Sequence, residues 1–149
     1  FQYIKIQTKR NNEVMKKTIC LLGLIFMGCG PTPVPLVLSH YITAQEALAN
    51  DNLEVAQAAL IQLSRSAEEP IGSLAKNTAS LSTIENIRDA FKKLSDVVIE
   101  TQSLSEDFAI AYCPMAIDGN GAHWIQRKDS DLINPYFGAS MLNCGVFKD

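Results

Sequence analysis

Several kinds of chemistry are missing from this sequence. There is no glycine-rich phosphate loop and no glycine-flanked nucleophile elbow, and Ser140 and His123 share the C-terminal segment with no carboxylate placed behind the histidine. These absences argue against an enzyme. No internal repeat or low-complexity tract occurs, and a chain of 149 residues that is 47% hydrophobic and 19% charged reads as one globular domain rather than a disordered one. The apolar run from Ile19 to Met27 is too short to cross a bilayer as a mature helix. Basic charge is scarce downstream of it. Residues 29–149 carry 8 Lys and Arg against 15 Asp and Glu, a net charge of −7, which repels phosphate backbones and excludes nucleic acid as the expected partner.

The short apolar run reads as a targeting segment. Lys16 and Lys17 follow Met15 and supply a positive flank, and the small Gly28 precedes Cys29. Residues 15–28 resemble a bacterial lipoprotein signal, which implies that Cys29 is lipidated and becomes the mature N-terminus. Such an anchor carries at least two acyl chains, enough for stable attachment where a single chain is marginal. The alternatives are a plain secretory peptide or a buried N-terminal helix. Residues 1–14 show no apolar period and read as an upstream extension. Residues 29–35, with Pro31, Pro33 and Pro35, read as an extended tether. The expected location is the cell envelope, with the chain lipid-anchored and periplasm-facing. An oxidising compartment of that kind permits disulfides.

Residues 36–149 are expected to fold as one helical domain. Val37, Tyr41, Ala44 and Leu48 form one apolar stripe, and Leu53, Ala56, Leu60, Leu63 and Ala67 form a second beyond Asn50-Asp51-Asn52. The short break makes the two helices antiparallel neighbours, with Asp51 and Glu54 as a capping box for the second. Pro70 opens a short third helix over Ile71 to Ala79. Ser82 and Glu85 form another capping box before the most regular stripe, Ile84, Ile87, Phe91, Leu94 and Val98, which predicts a helix over 83–101. The period then changes. Residues 108–113 and 122–126 have strand-like composition around the turn-rich Asp118-Gly-Asn-Gly121. The predicted fold class is mainly α: an antiparallel three- to four-helix bundle with a C-terminal extended or hairpin segment packed on it.

That segment holds the candidate site. Cys113-Pro-Met115 places two sulfur side chains on one face of an extended segment, and Met141-Leu-Asn-Cys144 places two more on one face of a helical turn. Two thiolates and two thioethers select Cu(I) or Ag(I) over hard cations. Zinc is less natural, because its sites do not normally recruit methionine, although His123 with the two cysteines would offer a Cys-Cys-His set. The competing reading is a Cys113–Cys144 disulfide, worth about 2–4 kcal/mol for a loop of this length. Each methionine has core packing as its alternative role, and His123 a structural hydrogen bond.

The runs Tyr112-Cys-Pro-Met-Ala116, Gly121-Ala-His-Trp-Ile-Gln126, Asn134-Pro-Tyr-Phe-Gly138 and Met141-Leu-Asn-Cys-Gly145 resemble a domain-of-unknown-function family. Its members occur as the C-terminal appendage of copper/silver efflux membrane-fusion adaptors and as stand-alone exported lipoproteins. The resemblance spans about 38–146. It implies a helical bundle bearing Cys-Pro-Met and Met-x-x-Cys-Gly motifs at Cys113, Met115, Met141 and Cys144, in a setting of periplasmic heavy-metal handling. Two functions follow as expectations: a periplasmic Cu(I) or Ag(I) binding module accessory to metal efflux or buffering, or a structural interaction module of the envelope closed by a Cys113–Cys144 disulfide and holding no metal.

Overall fold

A computed structural model of the chain describes residues 34–148. The upstream extension, the signal segment, the lipidation site at Cys29 and the tether as far as Pro33 lie outside the described residues. Four helices come first: α1 (Leu36–Ala49), α2 (Leu53–Ser66), α3 (Ile71–Ala79) and α4 (Ile84–Thr101). They occupy the segments where apolar residues recur every three or four positions. β1 (Phe108–Cys113), β2 (Ala122–Arg127), a single 3-10 turn (Gly138–Ser140) and β3 (Val146–Phe147) follow. Among the described residues no helix is long and apolar enough to cross a membrane.

The mainly helical bundle expected from the sequence is corrected by the C-terminal third. Its three strands form one antiparallel sheet in the order β2–β1–β3, so the chain is mixed α/β. Two physical reasons account for the difference. β3 has only two residues, and it is a strand because Val146 and Phe147 pair with Tyr112 and Ala111 far earlier in the chain. Pairing of that kind leaves no periodic mark in sequence. The other reason lies in α1. Beside the stripe of Val37, Tyr41, Ala44 and Leu48, in which Val37 is half-buried, it buries Leu38, Ile42, Gln45 and Ala49, one position further round. A helix buried on two faces needs two neighbours, and α1 has them in α2 and β2.

The caps also differ from expectation by one residue. Asn52, not Asp51, caps α2, its Oδ1 accepting the Val55 N–H at 3.1 Å, and Thr83, not Ser82, caps α4 through the Asn86 N–H. Asp51 takes a left-handed conformation (φ 57°) and turns its carboxylate toward the buried Arg88 at 2.6 Å and the Ala139 N–H at 2.9 Å. These two bonds, that with Arg88 foremost, hold its carboxyl below the usual carboxylate range. Arg88 also donates to the Leu48 carbonyl at 2.7 Å and the Pro135 carbonyl at 2.8 Å. The guanidinium thereby ties α4 to the α1–α2 corner and to the loop that leads back toward β3.

β2 is an outer strand of the sheet and lies against α1 and α4. Its outward peptide groups have no strand to pair with, and those of Ile125 and His123 lie against the helical half and need other partners. Two tyrosines supply them. The Ile125 N–H donates to Tyr41 Oη at 3.2 Å, and Tyr136 Oη donates to the His123 carbonyl at 2.6 Å. Tyr41 also hydrogen-bonds Ser95 Oγ of α4 and stacks on Phe91 with ring centroids 5.2 Å apart. Burial pushes both phenol groups well above their ordinary pKa, so both stay protonated.

Replacing Tyr41 by Phe keeps the ring and removes the hydroxyl, leaving the Ile125 N–H and Ser95 Oγ without their shared partner. The expected cost is about 1–3 kcal/mol in urea unfolding, with faster hydrogen exchange at the Ile125 amide. Unchanged stability together with unchanged exchange would contradict this account of the helix–sheet joint.

Candidate functional site

Cys113 is the last residue of β1. It is fully buried and pairs across the ladder with Ala122. Opposed residues share a face of the sheet and successive residues alternate, so Cys113, Ala111 and Trp124 face one way and Tyr112 and His123 the other. The Tyr112 and His123 rings confirm this by packing together at 4.5 Å between centroids. His123 therefore lies on the opposite face from the Cys113 thiol, and the Cys-Cys-His set is not assembled.

Beyond Cys113 the chain reverses through a tight loop. Ile117, Asp118, Gly119 and Gly121 all have positive φ, and the Gly121 N–H closes the loop onto the Ala116 carbonyl at 2.9 Å. A Cβ at Gly121 would collide with the Tyr112 ring, which fixes glycine there. Met115 sits on this loop with 55% of its surface exposed. An apolar side chain so exposed contributes little packing, so its core-filling alternative is removed.

The second cysteine arrives from the other end of the domain. The Cys144 N–H donates to the Met141 carbonyl at 3.1 Å, forming the turn that follows the 3-10 segment. Gly145 then passes across the Trp124 indole at φ 141°, where a Cβ would stand 2.9 Å from both the ring and the Tyr112 carbonyl oxygen. Only glycine lets the chain cross there and join the sheet as β3. Trp124 is fully buried beneath this crossing, its indole N–H held by Gln126 Oε1 at 2.9 Å and its ring edge-on to Tyr136.

The outcome is a contact between two thiols, Cys113 Sγ to Cys144 Sγ at 2.8 Å, neither of them covalently bonded. Cys113 is sealed in the core, whereas Cys144 is half-buried. Met141, also half-buried, is joined to Cys144 by their shared turn. Thus Cys113 and Cys144 meet, each methionine stays on the same short segment as its cysteine, and His123 is apart. Among the described residues no three His, Cys, Asp or Glu side chains cluster as a metal site would need. Gln126 and Asn134 stand in the quoted motif runs, but their roles in placing the pair were not read, because a side-chain hydrogen bond to a distant segment carries no periodic signal. The Gly145 position was visible only as part of the Cys-Gly motif.

The Cys144 thiol is pushed above its ordinary pKa, first by its hydrogen bond with Cys113, then by partial burial and by electrostatic interaction with the same neighbour. A raised pKa means less thiolate at a given pH. Alkylation of Cys144 in the reduced protein is therefore expected to rise with a midpoint above the ordinary thiol value of about 8.5, and Cys113→Ala should lower that midpoint. Rate–pH curves with iodoacetamide check this; identical midpoints in the two proteins would contradict it.

No family model matches the chain, and no curated protein or solved structure matches it.

Proposed function

We propose that the chain is a non-catalytic module of the cell envelope that binds Cu(I) or Ag(I) between the thiolates of Cys113 and Cys144, with Met115 and Met141 as thioether donors. The observation that carries this reading is the meeting of two thiols from distant segments, each with a methionine beside it in sequence and one of those methionines standing in solvent. Soft sulfur donors are what monovalent copper and silver select. The lipoprotein-type leader and the resemblance of the Cys-Pro-Met and Met-x-x-Cys-Gly runs to copper/silver efflux appendages support the same setting. In it, the module buffers the ion or hands it to an efflux complex at the membrane.

A second reading has its own observation. Two sulfurs bound to one tetrahedral zinc stand about 3.8 Å apart, given Zn–S bonds near 2.3 Å. At 2.8 Å the Cys113 and Cys144 sulfurs are closer than that, so binding an ion requires them to part, whereas forming a disulfide requires them to approach. The oxidised chain is then an interaction module whose C-terminal return is locked onto β1.

Titration of the reduced chain with Cu(I) against a competing chelator tests the leading reading. Cys113→Ser and Cys144→Ser are each expected to weaken binding by at least about ten-fold, and Met115→Leu by a smaller factor. Wild-type affinity no tighter than that of the double cysteine variant would remove the metal site.

A further inference from the structure

The Cys144 sulfur belongs to a short irregular segment, and such a segment does not hold a thiol against a partner by itself. Both peptide groups of Cys144 are nevertheless fixed. Its N–H donates to the Met141 carbonyl at 3.1 Å, and its C=O accepts from Asn134 Nδ2 at 2.7 Å. Asn134 is fully buried, and its other groups are also engaged: Oδ1 accepts the Tyr136 N–H at 2.8 Å and its own N–H donates to the Leu142 carbonyl at 2.7 Å. A second amide runs alongside, from Asn143 Nδ2 to the Leu132 carbonyl at 2.7 Å. Segments 132–134 and 142–144 are thereby laced together.

Asn134 is itself anchored to the core through its neighbour. The Ile133 N–H donates to Gln126 Oε1 at 3.1 Å, and Gln45 Nε2 of α1 donates to the Ile133 carbonyl at 3.0 Å. Gln126 Oε1 also takes the Trp124 indole N–H at 2.9 Å, on the strand that pairs with the one ending in Cys113. A path of hydrogen bonds, buried at Trp124 and part-buried beyond it, therefore runs from β2 through the Ile133–Asn134 backbone to the Cys144 carbonyl. None of these hydrogen bonds is made to a sulfur, so the path acts by placement.

From this arrangement we infer that Asn134 is the positioning residue of the cysteine pair: its amide holds the Cys144 main chain so that Cys144 Sγ faces Cys113 Sγ, and so sets how readily the two thiols act together. The inference rests on the reading that Cys113 and Cys144 work as a pair, and it applies whether the pair takes a soft metal or oxidises.

Asn134→Asp tests it. The carboxylate is nearly the same shape and still accepts the Tyr136 N–H, but it presents an acceptor where Asn134 donates to Cys144. The readout is the equilibrium of the full chain with glutathione, in which Cys113 and Cys144 give up two electrons and two protons to oxidised glutathione and release two reduced glutathione molecules. The pair's effective concentration should fall about ten-fold or more, the weight of one hydrogen bond whose loss leaves a carbonyl facing another acceptor. Ser140→Ala, which loses only a bond to the Phe137 carbonyl in the same segment, should leave it within about two-fold. In the wild-type chain the Asn134 side-chain amide resonance should shift when the pair is oxidised or loaded with Ag(I), a measurement that stands even if the variant fails to fold. An Asn134→Asp equilibrium matching wild type, or an amide resonance that ignores the state of the pair, overturns the inference. A wild-type pair that neither oxidises nor takes up Ag(I) instead removes the reading beneath it, and the inference with it.

Discussion

An outer strand packed against helices along its free side must find partners there for the peptide groups that the packing shields from water. β2 is such a strand, and the hydroxyls of Tyr41 and Tyr136 answer that need. Tyr41 has the larger consequence, since its Oη is bonded to Ile125 of β2 and Ser95 of α4 while its own backbone belongs to α1. Three elements thus converge on one oxygen. The helices give the sheet an apolar floor, and this oxygen sets how the strand lies on it. An apolar contact alone is non-directional and would not fix that placement.

The position of the cysteine pair follows from the placement of β2. β1 is aligned by pairing with β2, which puts Cys113 at the buried end of the ladder. Trp124 of β2 gives the returning chain a surface to cross, and the absence of a side chain at Gly145 allows the crossing. Arg88 and Asp51 hold the start of the return, bonding the Pro135 carbonyl and the Ala139 N–H. A buried thiol is thereby met by a half-buried one, so the pair is both positioned and reachable. That combination suits a site that must exchange an ion or electrons with its surroundings, and a wholly sealed pair would not.

Much of the helical half could be read from residue spacing. Of the stripe Ile84, Ile87, Phe91, Leu94 and Val98, the last four are fully buried in α4 and Ile84 half-buried, and Ile71–Ala79 forms the predicted third helix. A second stripe in α1, Leu38, Ile42 and Ala49, was present in the sequence but interrupted by Gln45. That residue is buried because its amide serves Ile133, a partner in a distant segment. The sheet was legible only as strand-like composition around a turn, since β3 exists by virtue of its pairing. At the site, the sulfur residues were conspicuous by type. What sequence could not reveal was the hairpin register that sends His123 to the other face, or the amide of Asn134, a residue that reads in sequence as ordinary loop chemistry before a proline.

On the proposed reading, Cys113 and Cys144 form one soft-metal centre held by this scaffold. Chain isolated from the cell envelope with its thiols trapped at harvest, then counted for free thiols by peptide mapping and analysed for bound metal, tests it most directly. Both cysteines are expected to be reduced, with about one copper or silver ion per chain. Recovery of Cys113 and Cys144 fully joined in a disulfide, with no metal bound, would contradict it.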